Sequence, residues 1–430
     1  MTDHQLLIVL VDICVLVGVA RVGGWVAARV GIPAVVGELV FGICLGPSLF
    51  GALWPAGFDA LFPADPEQRA MLEVIAWIGV VFLVLIGGLE TRLGILRRTP
   101  SAVIGGWAGG FALPFAAGFV LGMAFPAWLI PADIERPIFA LFIATAMSIS
   151  AIPVIARILM DLDLYRTRIG MIVLSTAIAD DTVGWIVLSI VAGLVTGGVE
   201  LQTIGLTVLL TGVFLALSFT VGRLLVRRLL KFSNRLRMPY AQLSAMMLLV
   251  LSFAAITQAI GVHLVLGAFV AAILIGRNPR IDADAVTGVR QVGMGFFVPF
   301  FFAYTGIKVD LTTLRGNALT FAILAVVVAC LGKVVGGALG ARLGGLPRWE
   351  ALAVGFGRNA RGAMELVIAA IGLQIGVLTE ATYAIVVLIA VLTTLMAAPL
   401  LKLCVDRAGP MAREPSQPIP TPAIPKEVPA

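Results

Sequence analysis

Two adjacent carboxylates, Asp180 and Asp181, stand in the middle of the apolar stretch STAIADDTVGWIVL. Each is expected to cost roughly 2.5–3.5 kcal/mol at the centre of a membrane helix, so the pair needs a compensating role. Consecutive helical residues diverge by about 100°. The two carboxylates therefore cannot face one partner: one can meet a cation from another helix while the other faces a water-filled cavity. Lys333, in ACLGKVVGGALG, is the candidate cation, and the flanking glycines would let helices approach closely. Burial and a like-charged neighbour raise a carboxylate's affinity for a proton. An acid poised in this way holds either a proton or a hard monovalent cation such as Na⁺, but not both. That competition is the least machinery needed to exchange one for the other. The plainer alternative is a static Asp181–Lys333 ion pair that only fixes helix register, which leaves the second carboxylate unexplained.

Two further segments carry mid-span interruptions. ATAMSISAIPVIAR brings the hydroxyls of Thr145, Ser148 and Ser150 together with Pro153, which removes a helical hydrogen bond. GFGRNARGAMELV surrounds Asn359 with Gly355, Gly357 and Gly362. Unwound backbone at that depth exposes helix ends able to hold ions. Arg358, Arg361 and Glu365 read as charge-balancing groups, Arg361 and Glu365 being four residues apart. Either arginine could instead counter the dipole of a helix end. Glu38, in VVGELVFGICLG, reads as a buried structural or gating carboxylate, and Arg21 as a snorkelling residue.

The elements that must position these groups are transmembrane. The chain has 430 residues, 60% hydrophobic and only 13% charged, against about 25% charged in soluble domains. Apolar runs recur along its whole length, which gives an all-α polytopic membrane protein. About thirteen spans are read, at 5–28, 33–50, 69–89, 102–125, 136–157, 169–194, 202–224, 239–259, 262–276, 289–305, 317–341, 349–374 and 382–403. Most of the 30 Lys and Arg residues then fall in alternate loops, including Arg223, Arg227, Arg228, Lys231, Arg235 and Arg237 between the seventh and eighth spans. Only Arg69, Arg136, Lys308 and Arg315 occupy the opposite loops. By the positive-inside rule the N-terminus is outside and the C-terminus cytoplasmic, which assigns the net charge of +6 to topology rather than to nucleic acid.

Segment order also implies an inverted repeat. Five-span sets at 33–194 and 262–403, joined by linker helices 202–259, each carry their interruption in the fourth member. Residues 1–405 form the transmembrane domain, and proline-rich residues 406–430 read as a disordered cytoplasmic tail. No cleavable signal is read at MTDHQLLIVL. The four cysteines lack metal-ligand spacing. With no nucleophile–base constellation and only His4 and His263, an enzyme is not expected, nor is a cofactor.

The segments GIPAVVGELVFGICLGPSLFG, the buried ADD, GVHLVLGAFVAAILIGR, FFVPFFFAYTGIKVDL and RNARGAMELV together resemble the cation:proton antiporter-2 family over nearly all of residues 5–405. The resemblance implies a thirteen-helix inverted-repeat fold with two crossed broken helices. A dimerisation domain would hold a mobile core, in homodimers that alternate access by an elevator-like movement. It also implies Asp181 as the main ion-binding carboxylate, for Na⁺ or K⁺, and Asp180 as the partner of Lys333. Asp-Asp with a lysine resembles the electrogenic sodium/proton exchangers of the family. RNARGAMELV and TTLMAAP are more similar to its plant and fungal branch, several members of which move potassium. An organic-anion symporter is disfavoured by the paired acids, and a non-transporting sensor by the absence of a recognisable signalling domain.

Overall fold

The computed structural model describes residues 3–63, 65–90, 100–150, 154–155, 158–159, 162–165, 167–197, 201–236, 238–260, 264–279 and 281–413. The described secondary structure is helical. The main helices begin with α1 (Asp3–Arg29), α2 (Ala34–Leu45), α3 (Pro66–Glu90), α4 (Pro100–Ala124), α5 (Arg136–Ser148) and α6 (Arg168–Gly197). There follow α7 (Leu201–Leu217), α8 (Arg223–Arg235), α9 (Ala241–Ala259), α10 (Leu264–Gly276), α11 (Ala283–Val292) and α12 (Val298–Ile307). The last four are α13 (Asn317–Leu343), α14 (Arg348–Arg358), α15 (Ala363–Gln374) and α16 (Glu380–Ala408). Among the described residues nine helices are long and apolar enough to cross a membrane. Arg136–Ser148, Leu264–Gly276 and Met364–Gln374 are shorter apolar helices.

Local chemistry sets the ends. α1 has Asp3 in its first turn and Arg29 in its last, each opposing the nearby dipole charge. It stops before Gly31, whose φ of +75° suits glycine and terminates the helix. The capping box of Thr379 and Thr382 opens α16.

Several boundaries differ from the sequence reading. α2 ends at Leu45 rather than residue 50, and two short helices follow, Phe50–Leu53 and Pro55–Leu61. The seventh span does not end at 224: α7 continues through a π-helical turn, Ser218–Gly222, into α8. Arg237 lies outside the described residues, and Arg223, Arg227, Arg228, Lys231 and Arg235, assigned to a loop there, lie on an amphipathic helix instead. Its buried face is Val226, Leu230 and Ser233, spaced four and three residues apart. α5 ends at Ser148, where Ile149 turns extended, so the interruption precedes Pro153, which lies outside the described residues. At the far end α16 runs to Ala408 and Ala412 is fully buried, so packed structure continues past residue 405. Residues 414–430 lie outside the described residues.

The site depends most on the crossing of α4 and α13, which pack along much of their lengths. A methyl group added at Gly340 would lie 1.9 Å from the Gly105 carbonyl oxygen. One at Gly109 would lie 2.3 Å from the Gly336 oxygen. Here backbone meets backbone, and no flexible side chain is available to yield. Gly340→Val is therefore expected to separate the helices and destabilise the chain by about 3 kcal/mol, at the upper end for overpacked sites. Thermal unfolding of purified protein checks this. Gly212→Val is the control, since nothing lies within 4 Å of that position, and it should be nearly neutral.

Candidate functional site

Asp180 sits near the middle of α6 and is completely buried. Lys333, also fully buried, comes from α13, with Nζ 2.9 Å from Asp180 Oδ2. Gly336, Gly337 and Gly340 lie three, four and seven residues after Lys333. The glycine face that admits α4 is therefore also the face that presents the lysine.

Arg358, the last residue of α14, closes the other side. Its Nη2 lies 2.7 Å from both Asp180 carboxylate oxygens, and its Nη1 donates to the Gly106 carbonyl. Gly110, one turn along α4, leaves the space this guanidinium fills: a methyl group there would lie 1.9 Å from Nη1. Ser150 Oγ lies 2.7 Å from Asp180 Oδ2 and 3.1 Å from the Arg358 carbonyl oxygen. Its single proton can be donated to either acceptor. Sequence reasoning had Arg358 as a charge-balancing group but did not assign it to Asp180. The sequence signal was Gly110, whose missing side chain opens a slot for a large one.

The two interruptions meet at this cluster. α5 ends at Ser148 with carbonyl groups that have no helical partner. Lys333 donates to the Ser148 carbonyl, and Arg361 Nη2 donates to that of Met147 at 2.7 Å. Both cations thus sit at the negative end of the α5 dipole. Arg361 lies between α14 and α15, and its Nη1 is 3.2 Å from Glu365 Oε1. Its own carbonyl accepts from Thr394 on α16. The Arg361–Glu365 pair therefore forms even though α15 begins only at Ala363.

The other candidates are placed less directly. Thr145 and Ser148 are buried, but their hydroxyls donate back to the carbonyls of Leu141 and Ala144 within α5. Only their lone pairs are left for a ligand. Asn359 Nδ2 is 3.7 Å from Cys330 Sγ, whereas its Oδ1 is buried with no hydrogen-bond partner. Glu38 is buried on α2 against Gly24 of α1. Among the described residues no hydrogen bond or ion pair joins it to the Asp180 cluster. Arg21 is exposed, with Nη1 3.5 Å from the Met294 carbonyl oxygen. Asp181 follows Asp180 in α6, but its side chain lies outside the described residues, as does all of His263.

The arrangement is thus one buried carboxylate between two buried cations, at a point where two helices stop. A family model described as the transmembrane sodium/hydrogen exchanger matches residues 17–405. The chain is 32% identical to the Na(+)/H(+) antiporter NhaS4 of Synechocystis sp., covering 93% of this chain and 98% of that protein. It is 30% identical to the K(+)/H(+) antiporter 1 of Saccharomyces cerevisiae, over 86% of this chain but 44% of the yeast protein. The Arabidopsis thaliana cation/H(+) antiporters it matches are likewise about twice its length. In fold it resembles the sodium proton antiporter MjNhaP1 of Methanocaldococcus jannaschii, with a TM-score of 0.63 at 15% identity, covering 93% of this chain and 98% of that one. The chain is an integral membrane protein and belongs to the transmembrane sodium/hydrogen exchanger family.

Proposed function

We propose that the chain is a secondary antiporter that exchanges a monovalent cation, Na⁺ in the first instance, for H⁺ by alternating access. The observation that carries this reading is the charge count at the helix break. Asp180, Lys333 and Arg358 are all fully buried and together bear one net positive charge. Ionised Asp181, the next residue of α6, would bring the total to zero. A proton on Asp181 then restores one positive charge, and so does a bound Na⁺. Both together would bring two. With an effective dielectric of 20, two like charges 5 Å apart repel by about 3 kcal/mol, roughly a hundredfold in occupancy. Mutual exclusion of proton and cation follows from that repulsion, and the unpartnered Asn359 Oδ1 is available as a neutral ligand.

The same cluster supports electrogenic exchange. Arg358 contacts both oxygens of Asp180, so that carboxylate keeps a cationic partner even when Lys333 has given up its proton. Two protons could then move per cation. The inverted repeat and thirteen spans belong to this proposal. Exchanging the two five-span sets maps the packing of α4 on α5 onto that of α13 on α14, and α2 on α12 onto α10 on α3, all of which are observed contacts. A core of α4–α6 with α13–α16, moving against the remaining helices, is the corresponding domain division. A homodimer in the cell membrane, with the N-terminus outside, rests on the family resemblance and on the charge bias of the loops.

The test is proton flux in proteoliposomes driven by Na⁺, K⁺ or Li⁺ gradients, with the membrane potential either free or clamped. Na⁺ should drive the fastest flux, and an imposed voltage should change its rate. Flux driven by none of the three would reject exchange, and a rate indifferent to voltage would reject the electrogenic step. K⁺ is the second reading, favoured by the similarity to the K(+)/H(+) antiporter 1 of yeast. It gains if K⁺ outpaces Na⁺.

A further inference from the structure

Asp12 stands in the core-facing stripe of α1, between buried Val9 and Leu16, and is itself 1% exposed. Neither of its carboxylate oxygens has a hydrogen-bond partner. Buried polar atoms are paired in the great majority of cases, so a bare carboxylate calls for a ligand. Gln68, in the first turn of α3, is 3% exposed, and its Oε1 is likewise buried and unpartnered. The two residues line one cavity of about 500 Å³, none of whose lining residues belongs to the Asp180 cluster.

The surrounding contacts explain how this pair is brought together. Gln5, two turns before Asp12 on the same face of α1, has Nε2 2.7 Å from Asp65 Oδ2. Asp65 Oδ1 accepts from the backbone N–H groups of Glu67 and Gln68, capping the start of α3. Asp65 thus ties the first turns of the two helices together.

The charges there favour a cation. Asp12, Glu73, Asp310 and Glu380 line the cavity against Arg69 and Lys308. Lys308 is already committed: Nζ lies 3.9 Å from Glu73 Oε1 and 4.4 Å from the centre of the Tyr304 ring. Asp310 accepts from the backbone and hydroxyl of Thr312. Asp12 remains as a buried acid with both oxygens unpartnered, lining one cavity with the neutral, equally unpartnered carbonyl oxygen of Gln68. That donor set suits a hard monovalent cation, and the cavity is large enough for the ion to keep part of its water shell.

We propose that Asp12 and Gln68 form a second monovalent-cation site, separate from the Asp180 cluster, at the end of the molecule where α1 and α3 begin. The identity of the ion rests on the exchanger reading, since that reading names Na⁺ or K⁺ as cargo. The site would hold the cation where it enters or leaves the protein.

The experiment measures equilibrium binding of ²²Na⁺ and ⁸⁶Rb⁺ to the purified full chain in lipid nanodiscs. Asp181→Asn is used as background so that the proposed transport carboxylate is silent. That variant should retain one bound cation per chain. Adding Asp12→Asn should weaken the residual binding at least about tenfold. Gln68→Leu, which keeps every charge, should weaken it by a smaller factor and provides the test if the Asp12 variant does not fold. No residual binding in Asp181→Asn, or residual binding that neither second substitution changes, would overturn the site. Cation-driven proton flux through the unaltered chain is measured alongside. Flux without Asp12-dependent binding removes the second site alone, whereas Asp12-dependent binding without flux keeps the site and removes the exchanger reading.

Discussion

Asparagine in place of Asp180 is expected to cost about 3–5 kcal/mol, the usual consequence of breaking a buried ion pair from one side. Total stabilities are about 5–15 kcal/mol, so much of the variant should be lost on purification. The reason lies in what would be left behind. Lys333 and Arg358 are both fully buried, and Asp180 is the carboxylate that both contact. An amide retains the shape and the Ser150 contact but leaves two buried cations facing each other with no carboxylate between them.

Removing one cation should be milder. In Lys333→Met the Asp180 carboxylate still has Arg358 Nη2 at 2.7 Å from both oxygens and Ser150 Oγ at 2.7 Å. The main loss is the donor to the Ser148 carbonyl. The predicted order of thermal stability is therefore wild type, then Lys333→Met, then Asp180→Asn. The double variant Asp180→Asn/Lys333→Met should be more stable than Asp180→Asn alone, because it removes one of the two stranded charges. Unfolding curves of the four proteins form a double-mutant cycle that measures this coupling. An Asp180→Asn protein as stable as the wild type would contradict the assigned role of the carboxylate.

The sequence carries the long helices directly, because an apolar run of about twenty residues has few folded alternatives in a membrane. It also carries the Asp180–Asp181 and Lys333 candidates, because charge inside such a run stands out. What it does not carry is the pairing of groups brought together by a crossing. Asp180 and Arg358 are 178 positions apart, and the space for the arginine comes from Gly110, one of 47 glycines. The stop of α5 at Ser148 was displaced towards Pro153 in the reading because proline is a visible breaker. What meets the final carbonyls of Ser148 and Met147 is a pair of cations from other segments, Lys333 and Arg361. The arginines of α8 read as a loop because their charge masked a three-residue buried face. A single acid near a terminus does not stand out in the sequence, although the place of Asp12 between Val9 and Leu16 on the core-facing stripe is the available signal.

Asp181→Asn is expected to reduce cation-driven proton flux to that of protein-free vesicles while leaving the fold intact. Asparagine has the volume of aspartate and a carbonyl oxygen, so it could still contribute a ligand to Na⁺. It cannot take or release a proton, and it carries no charge to offset the positive charge shared by Asp180, Lys333 and Arg358. A cation entering the altered site would raise the cluster from one net positive charge to two, and no proton would be displaced in return. Binding should weaken by roughly a hundredfold, the factor that follows from about 3 kcal/mol of repulsion at an effective dielectric of 20. Asp181→Glu, which keeps the titratable group but moves it outward by one methylene, should retain part of the flux with altered cation preference. Thermal unfolding separates this outcome from misfolding, since Asp181→Asn should melt near the wild type whereas Asp180→Asn should not. Undiminished proton flux in Asp181→Asn would mean that some other group exchanges the proton, and the competition between ion and proton would then have to be sought elsewhere in the molecule.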